Sequence, residues 1–283
     1  MLGRFFGLFR AVSLIDGMIF NYWIIKHADH YYDWIFLSIG LIFLFGFMIM
    51  CFMLKEGEYP PVPLVEEDLR RGGFFSMAKV YFRECFTNSY YLWVFALLTI
   101  GGAAFAPINA FSLLYAKSLG MTTEAYGKWI FWTYVCSLAL AYPLGSLVDR
   151  FHALRMGIIA MSLYVVASLT GFTLIQSPRS FGWALLAHGV LSGTYFTSVA
   201  SLTQALFPKL KFGQYASAAG MLASLMSIGM GFTLGPVLSM TNSNYRLTYL
   251  FSGLFAAVSL GLLLVVYHKF MKMGGPKGYV APE

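Results

Sequence analysis

The sequence predicts an all-α polytopic membrane protein with eight transmembrane helices, and three observations predict it. Of its 283 residues, 59% are hydrophobic and only 11% charged, against roughly 25% charged in an ordinary soluble domain. The mean hydropathy is +0.70. The apolar residues gather in eight runs of about 20 residues or more, the length that crosses the hydrocarbon core as a helix. Only helices and closed barrels span lipid, because backbone polar groups find no water there. These runs are too long, and too poor in polar alternation, for barrel strands.

The runs lie at 8–26, 34–54, 89–116, 125–147, 156–175, 181–206, 214–238 and 247–267. Asp16 and Asn21 interrupt the first, which also lacks a small-x-small cleavage site, so it reads as a spanning helix and not a signal peptide. The second is followed by the one long polar stretch, 55–88, which contains Glu66, Glu67, Asp68, Arg70 and Arg71. From Phe74 to Phe86 its aromatics interleave with Lys79 and Arg83, which fits an amphipathic helix lying on the membrane surface or, equally, a solvated linker. Pro107 inside the third run frees a backbone carbonyl and marks a bend. The seventh run is rich in small residues (Gly220, Ser224, Ser227, Gly229, Gly231, Gly235) before Pro236, which predicts close helix packing and rocking. Cys51, Cys85 and Cys136 stand far apart without metal or disulfide spacing and read as small buried apolar residues.

The formal net charge is +7, but its distribution says more than its total. With eight spans both termini share a side with the long loop. That side takes Arg4, Arg10, Lys55, Arg70, Arg71, Lys79, Arg83, Arg150, Arg155, Lys209, Lys211, Lys269, Lys272 and Lys277. The other takes Lys26, Lys117, Lys128, Arg179 and Arg246. The positive-inside bias makes the termini and the long loop cytoplasmic, in an inner or plasma membrane. It is an orientation signal and not a nucleic-acid footprint. The expected partners are the lipid bilayer and a small solute, with no nucleic acid and no cofactor.

Two motifs and an echo carry a resemblance. Pro143-Leu-Gly145-Ser-Leu147-Val-Asp149-Arg150-Phe-His-Ala-Leu-Arg155 follows the fourth run. It resembles the signature Gly-x-Leu-x-Asp-Arg-x-Gly-Arg of major facilitator transporters, which follows the second helix of each half. Gly145, Leu147, Asp149 and Arg150 match; His152 replaces the second glycine, Ala153 the next basic residue, and Arg155 brings charge two residues later. The segment from Tyr115 to Gly127 is similar to the short outer connection between the first two helices of a half. Phe6-Gly7-x-Phe9 echoes Phe212-Gly213-x-Tyr215 at the entries of two helices six spans apart, and parallel six-helix repeats are the internal symmetry of that superfamily.

The resemblance implies a truncated major facilitator fold. Residues 1–54 would be the last two helices of an amino-terminal half, 55–88 the central cytoplasmic loop, 89–268 a complete six-helix carboxy-terminal half, and 269–283 a cytoplasmic tail. It implies secondary transport of a small solute by alternating access, facilitative or coupled to a proton or sodium. Phe-Gly-Gln-Tyr and Asp-Arg-Phe-His are similar to sugar-cation symporter branches, which suggests a sugar or glycoside.

The resemblance also selects the candidate residues. The helices at 89–116 and 181–206 would line the solute cavity, placing Asn109, Ser112 and Tyr115 on one and His188, Ser192 and Tyr195 on the other. Asn109 hydrogen-bonds a polyol or a neighbouring helix. His188 serves proton coupling, or is a neutral histidine bonded between helices. Gly189 and Gly193 predict close packing. Asp16 couples a cation or joins a gating ion pair. Arg10, Gly145, Asp149, Arg150 and Arg155 complete the coupling and gating candidates. Asp149 either reaches the positive amino end of the first helix, expected near Gly7 to Arg10, or merely orders its loop. Two rival functions stand beside transport. One is a membrane acyl or prenyl transferase, against which no Asp-Asp-x-x-Asp occurs. The other is a truncated chain that does not transport.

Overall fold

The computed structural model describes residues 2–55 and 73–282, and the acidic and basic cluster between Glu66 and Arg71 lies outside them. The described chain is helical throughout. Helix α1 spans Leu2–Ile19 and continues through a π-type turn, Phe20–Ile24, and a 3-10 turn, Ile25–His27. Then follow α2 (Ala28–Met53), α3 (Gly73–Phe86), α4 (Ser89–Ala103), α5 (Ala106–Ser118), α6 (Thr123–Phe151), α7 (Ala153–Leu174), α8 (Pro178–Leu206), α9 (Phe212–Met240), α10 (Arg246–Lys272) and the single turn α11 (Gly275–Gly278).

Seven described segments are long and apolar enough to cross a membrane: Gly3–His27, His30–Met53, Ser89–Ser118, Thr123–Phe151, Ala153–Leu174, Lys209–Met240 and Arg246–Lys272. The eighth expected span is α8. It is 29 residues long but less apolar, because it buries His188, Thr194, Thr197, Ser198 and Ser201. Those groups are tolerable because they are buried where α8 packs against α1, α6 and α7.

Helix starts follow local chemistry. Asn88 caps α4 by accepting from the Tyr90 N–H at 2.9 Å, and Thr122 caps α6 by accepting from Ala125 N–H at 3.2 Å. Ser177 and Ser180 close a reciprocal capping box on α8. The bend at Pro107 falls at Ala104 and Phe105, where α4 ends and α5 begins with the proline in its first turn. The loosened Ala104 carbonyl lies 3.5 Å from the Tyr164 hydroxyl.

Helices α4 to α10 form one bundle with an aromatic core. Tyr91, Phe95, Phe105, Tyr164, Phe181, Tyr195, Tyr249 and Phe270 are its largest fully buried side chains. Helix α1 lies along α6 and touches α8. Its inner face reads Gly3, Gly7, Arg10, Leu14, Gly17, Asn21, a spacing of about 3.5 residues that keeps one seam facing a partner helix. A Cβ on Gly3 would stand 2.5 Å from the Gly145 carbonyl oxygen, and one on Gly7 2.6 Å from that of Ala141. Small residues therefore let the two backbones touch. Helix α2 stands apart, its apolar segment without a buried residue.

Three expectations are corrected here. In α9, a Cβ at Gly220, Gly229, Gly231 or Gly235 would meet nothing within 4 Å; those glycines face open space, not a packed neighbour. Only Cys85 of the three cysteines is buried, since Cys51 sits on the exposed α2 and Cys136 is half-buried. Helix α1 begins at Leu2, so its amino end is Gly3 and Arg4 and not Gly7 to Arg10. The stretch 74–86 is helical and docks on the start of α9. There Glu84 accepts from the Gln214 amide at 2.8 Å and pairs with Lys211 at 3.4 Å.

Candidate functional site

A cavity of about 310 Å³ opens where α1 meets α5, α6 and α8. Helix α1 contributes Arg10 and Asn21, α5 Asn109 and Ser112, α6 Tyr126, Ile130, Thr133, Tyr134 and Ser137, and α8 Leu185, His188, Gly189, Ser192, Gly193 and Phe196. The volume is at the small end of the roughly 300–1,000 Å³ typical of ligand pockets. Its polar lining is hydroxyl, amide and imidazole around one guanidinium, beside Ile130, Leu185 and Phe196, with no carboxylate among the described residues. Asn21 enters at the π-type turn, where its side-chain amide donates to the Gly17 carbonyl at 2.8 Å. A widened turn of this kind re-aims side chains and is frequent at functional sites.

Four of the six expected cavity residues reach it: Asn109, Ser112, His188 and Ser192. Tyr115 does not. It is buried among Phe181, Tyr245 and Tyr249 on the far side of α5. Tyr195 does not either. It packs on Phe105 and Phe196, and a Cβ on Gly101 would collide with its hydroxyl. The cavity face of α8 runs through 185, 189, 192 and 196, so His188 lies at its edge and Tyr195, two turns on, falls outside it.

His188 is 4% exposed and held from both sides. Its Nδ1 lies 2.8 Å from the Tyr164 hydroxyl of α7, and its Nε2 2.9 Å from Asn109 Oδ1 of α5. An amide oxygen only accepts, so Nε2–H donates to Asn109 while Nδ1 accepts from the tyrosine. Both ring nitrogens are then satisfied in a neutral imidazole. Ser112 shares a 2.8 Å hydrogen bond with the Tyr126 hydroxyl. The Ser137 hydroxyl is buried and makes no hydrogen bond among the described residues.

Arg10 crosses to α8, where Nη1 donates to Thr197 Oγ1 at 3.3 Å. A Cβ on Gly193 would collide with its guanidinium. Gly193 thus makes room for a side chain, while Gly189 takes the Thr133 methyl of α6; only the second matches the expected helix packing. Asp16 is exposed and makes no hydrogen bond or ion pair among the described residues. Six residues beyond Arg10 is about 240° around the helix, which turns Asp16 away from the cavity and from the α6 seam alike.

At one end of that seam sits the Gly145-to-Arg155 motif. Asp149 Oδ1 accepts from Gly3 N–H at 2.8 Å and Oδ2 from Arg4 N–H at 3.2 Å, with Arg4 Nε 3.8 Å away. A carboxylate on the first N–H groups of a helix meets the positive end of its dipole. Gly145 is the flat spot that brings Gly3 close enough: its own Cβ would stand 2.5 Å from the Gly3 carbonyl oxygen. Arg150 lies over the Phe151 ring at 5.4 Å. Arg155 donates to the Tyr267 hydroxyl of α10 at 3.0 Å.

One residue, His152, links α6 to α7, with φ 76° and ψ 142°, a region essentially reserved for glycine. The backbone thus explains why the signature has glycine there. The histidine holds the position by capping α7, its Nδ1 accepting from Leu154 N–H at 3.3 Å, and by stacking 4.7 Å from Phe270.

Sequence reasoning missed Tyr164, Ser137, Thr133 and Tyr126, and the space at Gly3 and Gly193. A signal was available: Tyr126, Ile130, Thr133 and Ser137 recur at helical spacing on one face of α6.

The geometry agrees with sequence comparison. The family model of the Major Facilitator Superfamily matches residues 2–229, and again 114–276. No curated protein and no solved structure matches the chain. With the seam, the cavity and the matched length taken together, this chain is an integral membrane protein of the Major Facilitator Superfamily, a family of small-solute transporters.

Proposed function

We propose that the chain moves a small polar solute by alternating access, with the cavity between α1, α5, α6 and α8 as its binding site. The observation that carries this is the polar cavity itself, placed where α1 meets the bundle of α4 to α10. Solute sites of secondary transporters lie near the membrane midplane between repeats. Asp149 on the amino end of α1 favours the state closed at that end, which the charge bias makes cytoplasmic. The amide and hydroxyl lining suits a hydroxylated solute such as a sugar or glycoside. Proton coupling through His188 requires the Tyr164 hydroxyl to turn from donor to acceptor, since in the neutral imidazole Nδ1 accepts from it; sodium coupling has no carboxylate among the described cavity residues to support it.

The test is sided accessibility. Ser192→Cys in a background free of Cys51, Cys85 and Cys136 is exposed to a membrane-impermeant thiol reagent on either face of sealed vesicles. Alternating access gives labelling whose sidedness changes when the Asp149 contact is removed. Equal labelling from both faces at once, or from neither in any variant, would overturn the proposal.

A further inference from the structure

A guanidinium in a membrane-spanning region is costly and has to be paired or hydrated. Arg10 lies within the span Gly3–His27, and its side chain crosses to Gly193 and Thr197 near the middle of the 29-residue α8. It makes one hydrogen bond, at 3.3 Å to Thr197, and no ion pair among the described residues. A guanidinium has five N–H donors, so most of them remain for another acceptor. The cavity beside it contains no carboxylate among the described residues. A second group points the same way: the Ser137 hydroxyl, 2% exposed and without a partner among the described residues, lines the same cavity.

We infer that the cavity takes a small hydroxylated anion, a carboxylate or phosphate ester, and that Arg10 is its counter-cation. The inference rests on the reading of this cavity as the solute site and narrows the substrate class. The planar fork of a guanidinium matches the two oxygens of a carboxylate or phosphate. Asn109, Ser112, Ser137 and Ser192 supply amide and hydroxyl partners for the hydroxyl groups. Gly193 is part of the device, since any side chain there would push the guanidinium off α8.

The test is direct binding to the purified chain in lipid nanodiscs, by calorimetry, with gluconate, glucuronate and glucose 6-phosphate, each beside neutral glucose. At least one anion is expected to bind, with glucose at least about tenfold weaker. Loss of a charge-assisted contact predicts that Arg10→Gln weakens the anion roughly ten- to hundredfold and glucose by much less, a change in selectivity that a merely structural arginine would not produce. Arg10→Lys recovers part of the affinity. Should Arg10→Gln fail to fold, Gly193→Ala displaces the guanidinium and is read in the same way. Absence of anion binding to the wild type overturns the inference. So does anion binding undiminished in Arg10→Gln, which would move the anion to the other end, at Arg150, Arg155 and Lys277. Glucose binding as tightly as the anions overturns the anionic class but leaves the cavity reading intact. Failure of every probe together with failed sided labelling of Ser192→Cys overturns both.

Discussion

Replacing Asp149 with asparagine separates the gating role of this carboxylate from simple loop ordering. Each carboxylate oxygen accepts from a backbone N–H of α1, at 2.8 and 3.2 Å. Asparagine keeps one acceptor and turns an amide NH₂ toward a donor in place of the other. A charge-assisted hydrogen bond contributes about 1.5–3 kcal/mol against about 0.5–1.5 for a neutral one. The Arg4 side chain is half-exposed, so its 3.8 Å pairing adds at most about 1 kcal/mol. The variant should therefore lose about 2 kcal/mol of the closed seam, roughly thirtyfold in equilibrium. A closed-to-open ratio of about 10 would fall to about 0.3.

The assay is a distance distribution between spin labels at Phe5 and Phe151, both exposed, in the cysteine-free background. The short-distance population should shrink in Asp149→Asn and further in Asp149→Ala, which removes both acceptors. Gly145→Val should act in the same direction by wedging α1 from α6. If all four proteins give one distribution, Asp149 only orders its loop and the gating argument is wrong.

His152→Gly relieves a backbone region costing about 1–3 kcal/mol but loses a cap and a ring stack, whereas His152→Ala keeps the cost and loses both. The glycine variant should melt above the alanine variant, and the reverse order would deny the strain. Burial, with Arg155 nearby, pushes the His152 pKa below its usual value. The unfolded chain then takes up a proton first, so stability is full above about pH 6.5 and declines as pH falls toward the lowered folded value. Thermal melts across that window should lose part of this slope in His152→Gln. Tyr279 donates to the Leu206 carbonyl at 2.8 Å and packs at a tilt 4.9 Å from the Phe270 ring; Tyr279→Phe should cost about 1 kcal/mol, read as faster hydrogen exchange at 279–281. Gly193→Ala should cost about 1–3 kcal/mol by overpacking. That cost should nearly vanish in an Arg10→Ala background, and an unchanged cost would mean the two side chains do not compete.

How far the sequence carries depends on the range of the physics. The spanning helices follow from apolar runs and the absence of water in lipid, which are local properties, so their number and order are legible. The run at 181–206, α8, is the least apolar of them, because its buried polar residues are balanced by neighbouring helices. The bend before Pro107 was legible for the same local reason. Asp149 was legible because motif and dipole chemistry both point to a helix amino end, although the contact falls at Gly3 and Arg4 and not at Gly7 to Arg10. Tyr115, Tyr195 and Asp16 were misplaced because helical spacing says which residues share a face, and not which neighbour that face meets. Gly193 read as helix packing when it is room for Arg10, 183 positions away in the chain. The sequence by itself determined the solvent each helix lives in and the motif that joins α6 to α7. Which polar groups converge on one cavity was decided only by the tertiary structure, because that depends on the rotation of α1, α5, α6 and α8 about their own axes, and packing between side chains distant in sequence sets it.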